Sequence, residues 1–274
     1  QVDDDVEHGD DFAWLTLGQI HALMKRPNVV NMDTRTVLSC LPLPAAEDAG
    51  ERIGTGPPGS SAADPGGPRT GLSRWLAGRT AHHQLSTALV PLSCLPDWRQ
   101  SGEEIWHRTG KYFKIIGVEV AATNREVRTW CQPLLEPCGD GLAAFVIQRG
   151  ADGLRVLAHA DVRPGYRNAV EIGPTVQCTP LNFADIPERR PAFLDLVLSE
   201  DVLVRYDVPQ SEEGGRFHHA VTRHLVVEVD GDDPLPVPPD YFWITLRDLS
   251  DRIRGGFEVN IEARSLFACL QASC

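Results

Sequence analysis

A chain of 274 residues that is 42% hydrophobic and 23% charged holds the material for a buried core and is too apolar to be read as disordered. Its formal net charge of −12 argues against nucleic acid or an anionic membrane surface as partner, since both demand clustered Lys and Arg; a small anionic ligand needs only a local pair of arginines. No apolar run approaches the roughly 18 residues of a membrane helix, and the opening Gln1-Val2-Asp3-Asp4-Asp5 is acidic where a secretory signal is basic and then apolar, so a cytoplasmic protein is expected.

Taken from its start, the chain announces a repeat. Trp14-Leu15-Thr16-Leu17 returns as Trp243-Ile244-Thr245-Leu246, and Val30-Asn31-Met32-Asp33-Thr34-Arg35 returns as Val259-Asn260-Ile261-Glu262-Ala263-Arg264, at a constant offset of 229. A duplicated unit of that length has the size of a domain and exceeds a solenoid repeat. Residues 1–43 are therefore expected to be the C-terminal tail of a first repeat whose front is not represented. The stretch 44–71, rich in Pro, Gly, Ser and Ala, reads as a flexible linker. Residues 72–274 read as a second, complete repeat.

That second unit opens with an expected helix over Ser73–Leu85. Strand-length runs rich in Val, Ile and aromatics follow at Tyr112–Ala121, Ala143–Arg149, Leu154–Val162, Val202–Tyr206 and His224–Val229. It closes with a helix that Thr245 can cap, carrying Leu246, Leu249 and Ile253 at helical spacing, and a short helix over Arg264–Leu270. The expected class is α+β, with a mostly antiparallel sheet. The seven cysteines (Cys40, Cys94, Cys131, Cys138, Cys178, Cys269 and Cys274) are odd in number, scattered and without a CxxC pair, and read as free thiols in a reducing compartment.

Four blocks carry polar groups in chemically useful patterns. Around Arg125-Glu126-Val127 and Trp130-Cys131-Gln132-Pro133, Arg can grip a phosphate or carboxylate with two prongs and Trp can stack on a ring, or the pair is a surface ion pair beside a core Trp. Gly173 to Pro180, with Glu171 before it, is a Pro-fixed loop presenting Thr175 and Gln177, suited to a polyhydroxylated ligand or to ordinary loop hydrogen bonding. In Ser211-Glu212-Glu213-Gly214-Gly215-Arg216-Phe217 the adjacent carboxylates repel, so one proton can be held near neutral pH for acid/base work; a solvated turn is the plain alternative. The pairs Asn31/Arg35 and Asn260/Arg264 share a face if helical, and serve either a ligand or the docking of each terminal helix. The adjacent pairs His82-His83 and His218-His219 do not converge as metal ligands, and His159 in its apolar strand is a candidate base or a satisfied strand residue. No phosphate loop, GxGxxG or GxSxG stands in the chain.

Together, Trp14-Leu-Thr-Leu-Gly-Gln-Ile-His, Asn28-Val-Val-Asn-Met-Asp-Thr-Arg-Thr36, Asn124-Arg-Glu-Val, Trp130-Cys-Gln-Pro, Pro174-Thr-Val-Gln and Ser211-Glu-Glu-Gly-Gly-Arg-Phe resemble the NDP-hexose 2,3-dehydratase family of deoxysugar biosynthesis. The resemblance covers the chain except the linker. It implies tandem Nudix-like domains in a homodimer, a nucleotide-activated 4-keto-6-deoxyhexose as substrate, and a downstream 3-ketoreductase as pathway partner, typically on the way to antibiotic sugars. It implies loss of water across C2 and C3 to a 3,4-diketo-2,6-dideoxy sugar, with no cofactor and no metal. A Nudix hydrolase needs a contiguous REuxEExG metal helix, whereas Arg125-Glu126-Val127 lies more than eighty positions from Glu212-Glu213-Gly214-Gly215, so diphosphate hydrolysis is disfavoured.

The residues expected to act are Glu213 or Glu212 as base or acid, with Glu171 and His159 as substitutes, and Arg264 or Gln177 on the enolate oxygen. Arg125, Arg163 and Arg216 are candidates for the diphosphate and Trp130 for stacking, with Gln132, Thr175, Ser211 and Asn260 as further binding groups. A competing reading keeps the nucleotide sugar as ligand but makes the chain a catalytically silent binding module.

Overall fold

Among the described residues four helices begin on a side-chain cap, and the caps fall at repeated positions. The computed structural model describes residues 12–43, 68–123, 125–150, 153–231 and 235–273. Thr16 starts α1 (Leu17–Met24) through a capping box with Gln19, and Thr245 starts α5 (Leu246–Gly255) by accepting from Asp248 N–H. Asn31 caps α2 (Met32–Leu38) and Asn260 caps α6 (Ile261–Gln271), each Oδ1 taking the amide three residues on, at 2.8 and 2.9 Å. A cap of this kind contributes about 1 kcal/mol. Gly256, at φ +81°, ends α5 in a conformation that favours glycine.

Ahead of the strands, α3 runs over Pro68–His82, starting five residues and ending three residues earlier than the sequence suggests; its first four residues belong to the expected linker, the rest of which (44–67) lies outside the described residues. Trp75 of α3 stacks on Phe242 at 5.4 Å, and Arg79 and His83 both reach Asp240.

Two sheets follow. The first is a four-stranded antiparallel meander of β1 (Trp98–Gln100), β2 (Glu104–His107), β3 (Phe113–Ala121) and β4 (Thr129–Pro137). Pro133 is tolerated because β4 is an edge strand. The second sheet runs β11 (Tyr241–Thr245), β6 (Gly153–Val162), β5 (Gly141–Gly150), β10 (Val221–Val229), β9 (Leu203–Ser211), with β7 (Val170–Gly173) on β6 and β8 (Val176–Cys178) on β5. All pairings are antiparallel except β5 with β10, which is parallel and sets Thr222 opposite Gly141. A short helix, α4 (Leu194–Val197), covers the far face. The chain is thus α+β with a mixed sheet, and half of the segment read as a Pro-fixed loop, Gly173 and Val176–Cys178, lies in β7 and β8, which join at Pro174-Thr175.

β5 is buried on both faces, as a central strand should be. Phe145, Ile147, Val156 and Ala158 face a core shared with α5, α6 and the N-terminal helices, from which Met24, Val30 and Leu38 enter. The N-terminal segment is therefore stitched to the body. Tyr206 and Gln210 donate to Met24 C=O, and Arg35, fully buried, donates through Nε to Ser265 Oγ (2.6 Å), through Nη1 to Val30 C=O (2.5 Å) and through Nη2 to Ser211 C=O (3.1 Å). Arg264, its counterpart, repeats only the contact to the carbonyl five residues back, Val259, at 2.9 Å. Leu15, Leu17 and Val37 are exposed, whereas Ile244, Leu246 and Leu266 at the matching positions are buried.

His224 on β10 makes folding sensitive to acid. It is buried, with Nδ1 on Thr222 C=O at 3.0 Å; burial first and then the Arg35 charge hold its pKa down at about 4, against 6.5 in an unfolded chain. Between those values the unfolded chain binds a proton that the folded chain refuses. Stability is therefore complete above pH 6.5 and falls as the pH drops toward 4, by about 3 kcal/mol from this group. His224→Leu should flatten the loss of Tm between pH 6.5 and 4; an unchanged slope would absolve His224.

Candidate active site

The end of β7 leaves room for a side-chain junction. A Cβ on Gly173 would fall 3.0 Å from the Asp161 Cβ and 3.1 Å from the Asn260 Nδ2, so only glycine lets Asn260 reach in. Having spent Oδ1 on the α6 cap, Asn260 turns its amide nitrogen inward. It donates to Gln177 Oε1 at 2.9 Å and to the Tyr166 hydroxyl at 3.0 Å. The Tyr166 hydroxyl donates in turn to Asp161 Oδ2, which also receives Arg163 Nε at 2.7 Å. With its oxygen accepting from Asn260, Gln177 has its own amide free to donate to Glu262.

Glu262, in the first turn of α6, is the group this chain of bonds serves. Burial raises its pKa, the nearby charge of Glu212 adds to the rise, and its own backbone N–H, Arg163 and Gln177 only partly offset it. A carboxyl held above its usual range in a cleft, beside fixed cationic and amide donors, is suited to moving a proton. Glu171, opposite Asp161 across β6 and β7, is also raised, by burial and by Asp161 against the pull of Arg264.

These groups open on a cleft of about 340 Å³ whose lining includes Arg163, Gln177, Cys178, Thr179, Asn182, Thr222 and Glu262. Gly141 forms part of it because a Cβ there would strike Thr222 Oγ1 at 2.6 Å. Burial pushes Cys178 up to about 11, so it lines the cleft as a neutral thiol. The cleft thus offers one proton-transfer carboxyl, one guanidinium and one oriented amide.

A family model described as NDP-hexose 2,3-dehydratase matches residues 1–41 and 69–270. The chain belongs to this family. Three proteins named dTDP-4-dehydro-6-deoxy-alpha-D-glucopyranose 2,3-dehydratase are similar to it: one of Amycolatopsis orientalis (42% identical, 98% of this chain, 54% of the relative), one of Saccharopolyspora spinosa (41%, 99% and 58%) and one of Streptomyces violaceoruber (42%, 96% and 58%). The chain spans a little over half the length of these relatives. Among solved structures, the Ap4A hydrolase of C. elegans (TM-score 0.30, 12% identical, covering 48% of this chain and 98% of that one) and the Nudix hydrolase RenU of M. smegmatis (TM-score 0.31, 17%, 56% and 92%) align with parts of the chain.

Of the residues singled out in this member of the dehydratase family, Arg163 and Gln177 line the cleft and Asn260 is bonded to Gln177 behind it, whereas Glu171 and Arg264 interact with each other and are not among its lining residues. Glu212 stands near enough to influence both Glu262 and Arg35. Glu213 does not line the cleft; both its neighbours in the bond, Arg216 Nε (2.8 Å) and Nη2 (2.5 Å), grip its Oε2 at the surface. Trp130 Nε1 donates to Gln132 Oε1 at 2.6 Å, and Gln132 Nε2 donates to Gly215 C=O at 2.9 Å. Arg125 is exposed in the turn after β3. His159 stacks on Tyr241 at 4.6 Å, its pKa lowered by burial. Ser211 offers its carbonyl to Arg35. Thr175 corrects the loop reading: it is buried, its hydroxyl bridging Val146 N–H and Leu157 C=O across β5 and β6, and cannot face a ligand. Sequence reasoning passed over Asp161, Tyr166 and Glu262. For Glu262 a signal existed, since Asp33 keeps an acid at the matching position.

Proposed function

We propose that this chain is the part of an NDP-4-keto-6-deoxyhexose 2,3-dehydratase that carries acid/base machinery for elimination, with Glu262 as the group that moves the proton. The observation that carries the reading is Glu262 itself, raised in pKa within a cleft and hydrogen-bonded by an amide that Asn260 orients. The C4 ketone of such a substrate acidifies the C3 hydrogen. Glu262 takes that proton, the C3–H electron pair passes into an enolate, and Arg163 and Gln177 hold the charge on the C4 oxygen. A fixed donor of that kind is worth roughly 10²–10³ in rate. Loss of the C2 hydroxyl as water, with a returned proton, leaves a C2–C3 enol that tautomerises to the 3,4-diketo-2,6-dideoxy sugar. Each proton, bond and oxygen is then accounted for without a redox partner or metal, in keeping with a lyase.

Family membership and the named activity of the relatives support the substrate class. The matching caps Thr16/Thr245 and Asn31/Asn260 support reading residues 1–43 and 72–274 as parts of a duplicated, Nudix-like unit, and we take the homodimer and a following 3-ketoreductase as expectations of the same reading. Mass spectrometry of dTDP-4-keto-6-deoxyglucose incubated with the chain in EDTA should show loss of one water. An unchanged mass with retained binding would leave the silent binding module in its place, and loss of turnover only on chelation would defeat metal independence.

A further inference from the structure

A second cleft, of about 440 Å³, opens beside the first and shares Thr179 and Asn182 with it. Its other walls are Trp98, His107, Tyr112 and Phe113, all contributed by the first sheet. The rings form one run: Phe113 lies 4.9 Å from Trp98, His107 stands edge-on to Trp98 at 5.5 Å, and Tyr112 edge-on to His107 at 4.8 Å. None of them belongs to either buried core, and Tyr112 and Phe113 remain 43% and 36% exposed.

Tyr112 is also held at a backbone cost. Its φ is +69°, the left-handed region that a bulky side chain avoids, and it stays there because Asn182 Oδ1 accepts its N–H at 3.1 Å while Cys138 N–H donates to its carbonyl at 3.0 Å. Strain of this kind persists where the surroundings over-determine a geometry, and such places cluster at ligand sites. The residue that enforces it, Asn182, is the one shared by both clefts. Lys111, the residue before Tyr112, pairs its ammonium with Asp185 and donates to the Asn182 carbonyl, which fixes Asn182 at the border between polar and aromatic halves.

We propose that the aromatic cleft holds the nucleobase of the sugar nucleotide, with the hexose in the polar cleft and the diphosphate crossing at Thr179 and Asn182. The proposal rests on the reading of the chain as a nucleotide-sugar enzyme. A flat heteroaromatic ring is the ligand that a run of π faces accepts, and stacking binds without demanding further buried donors. It moves base recognition from Trp130, whose indole N–H is occupied by Gln132, to the first sheet.

Calorimetric titration with dTDP tests it. Tyr112→Gly removes the ring and relieves the left-handed φ, so its Tm should stay within a few degrees of the unaltered chain; Trp98→Ala removes a second wall. Both variants are expected to bind dTDP about tenfold more weakly, the scale of a lost base stack. Unchanged dTDP affinity in the two variants, with the unaltered chain binding normally, would overturn the subsite and leave the enzyme reading intact. Failure of the unaltered chain to bind dTDP at all would overturn both.

Discussion

Glu262→Gln is expected to cut kcat by about 10²–10⁴-fold, the contribution of a positioned proton-transfer group, while dTDP affinity changes little because the amide keeps the shape of the carboxyl and its contact with Gln177. In the unaltered chain the acid limb of kcat/KM should lie above the ordinary carboxylate range, since the base works only when ionised and burial resists that ionisation. The same substitution carries an opposite effect on folding. A folded pKa raised above the unfolded one means that the folded chain holds its proton more tightly; the resulting stability is complete below the unfolded value and is lost as pH rises through the folded one. Glu262→Gln should therefore raise Tm at pH 8, with the gain gone at pH 4. Full turnover in this variant, measured as water loss by mass spectrometry, would remove Glu262 from the mechanism.

The second large effect concerns Arg35. Arg35→Ala strips donors from Ser265 Oγ, Val30 C=O and Ser211 C=O and leaves a void where a fully buried side chain stood. Each buried acceptor left unpaired costs about 1–3 kcal/mol and the void adds to that, which for a chain of this size lowers Tm on the order of 10 °C. Arg35→Lys keeps the charge and lacks the planar fork, so it should recover only part of the loss. Arg264→Ala is the internal control. That identical residue 229 positions on is only half-buried and makes the single bond to Val259, so its destabilisation should be distinctly smaller. Equal effects at the two sites, read from urea unfolding midpoints, would contradict the role given to Arg35.

How much of this was open to sequence reading depends on what each signal encodes. α5 was legible because Thr245 is a residue whose side chain satisfies free amides at a helix start, and Leu246, Leu249 and Ile253 repeat at the period of a buried stripe; α6 was legible only from Arg264, because Asn260 reads as a partner of Arg264 and not as the cap that starts the helix at Ile261. The α+β class followed from the same kind of pattern. β4 was not legible as a strand, because Pro133 and Pro137 signal breaks unless one knows that the strand lies at an edge. β7 and β8 are too short to show a period, and no local pattern states that β5 takes β10 in parallel. At the site, Gln177 and Asn260 stood out as polar groups in unusual blocks and Arg163 was a candidate for the diphosphate, but Glu262 sat in a first helical turn, where an acid is explained by the helix dipole alone. Its role emerges only when Arg163, just past the end of β6, is brought beside it.

The bond between Arg35 and Ser265 also imposes an order on synthesis. The two residues are 230 positions apart, so at a ribosomal rate of about 5–20 residues per second the guanidinium emerges roughly 10–50 s before its hydroxyl partner exists. Throughout that interval α1 and α2 carry Met24, Val30 and Leu38 with their destined neighbours on α6 not yet made. Until α6 is made, the apolar side chains of α1 and α2 lack the neighbours that will cover them, and they offer a chaperone a surface to hold during translation.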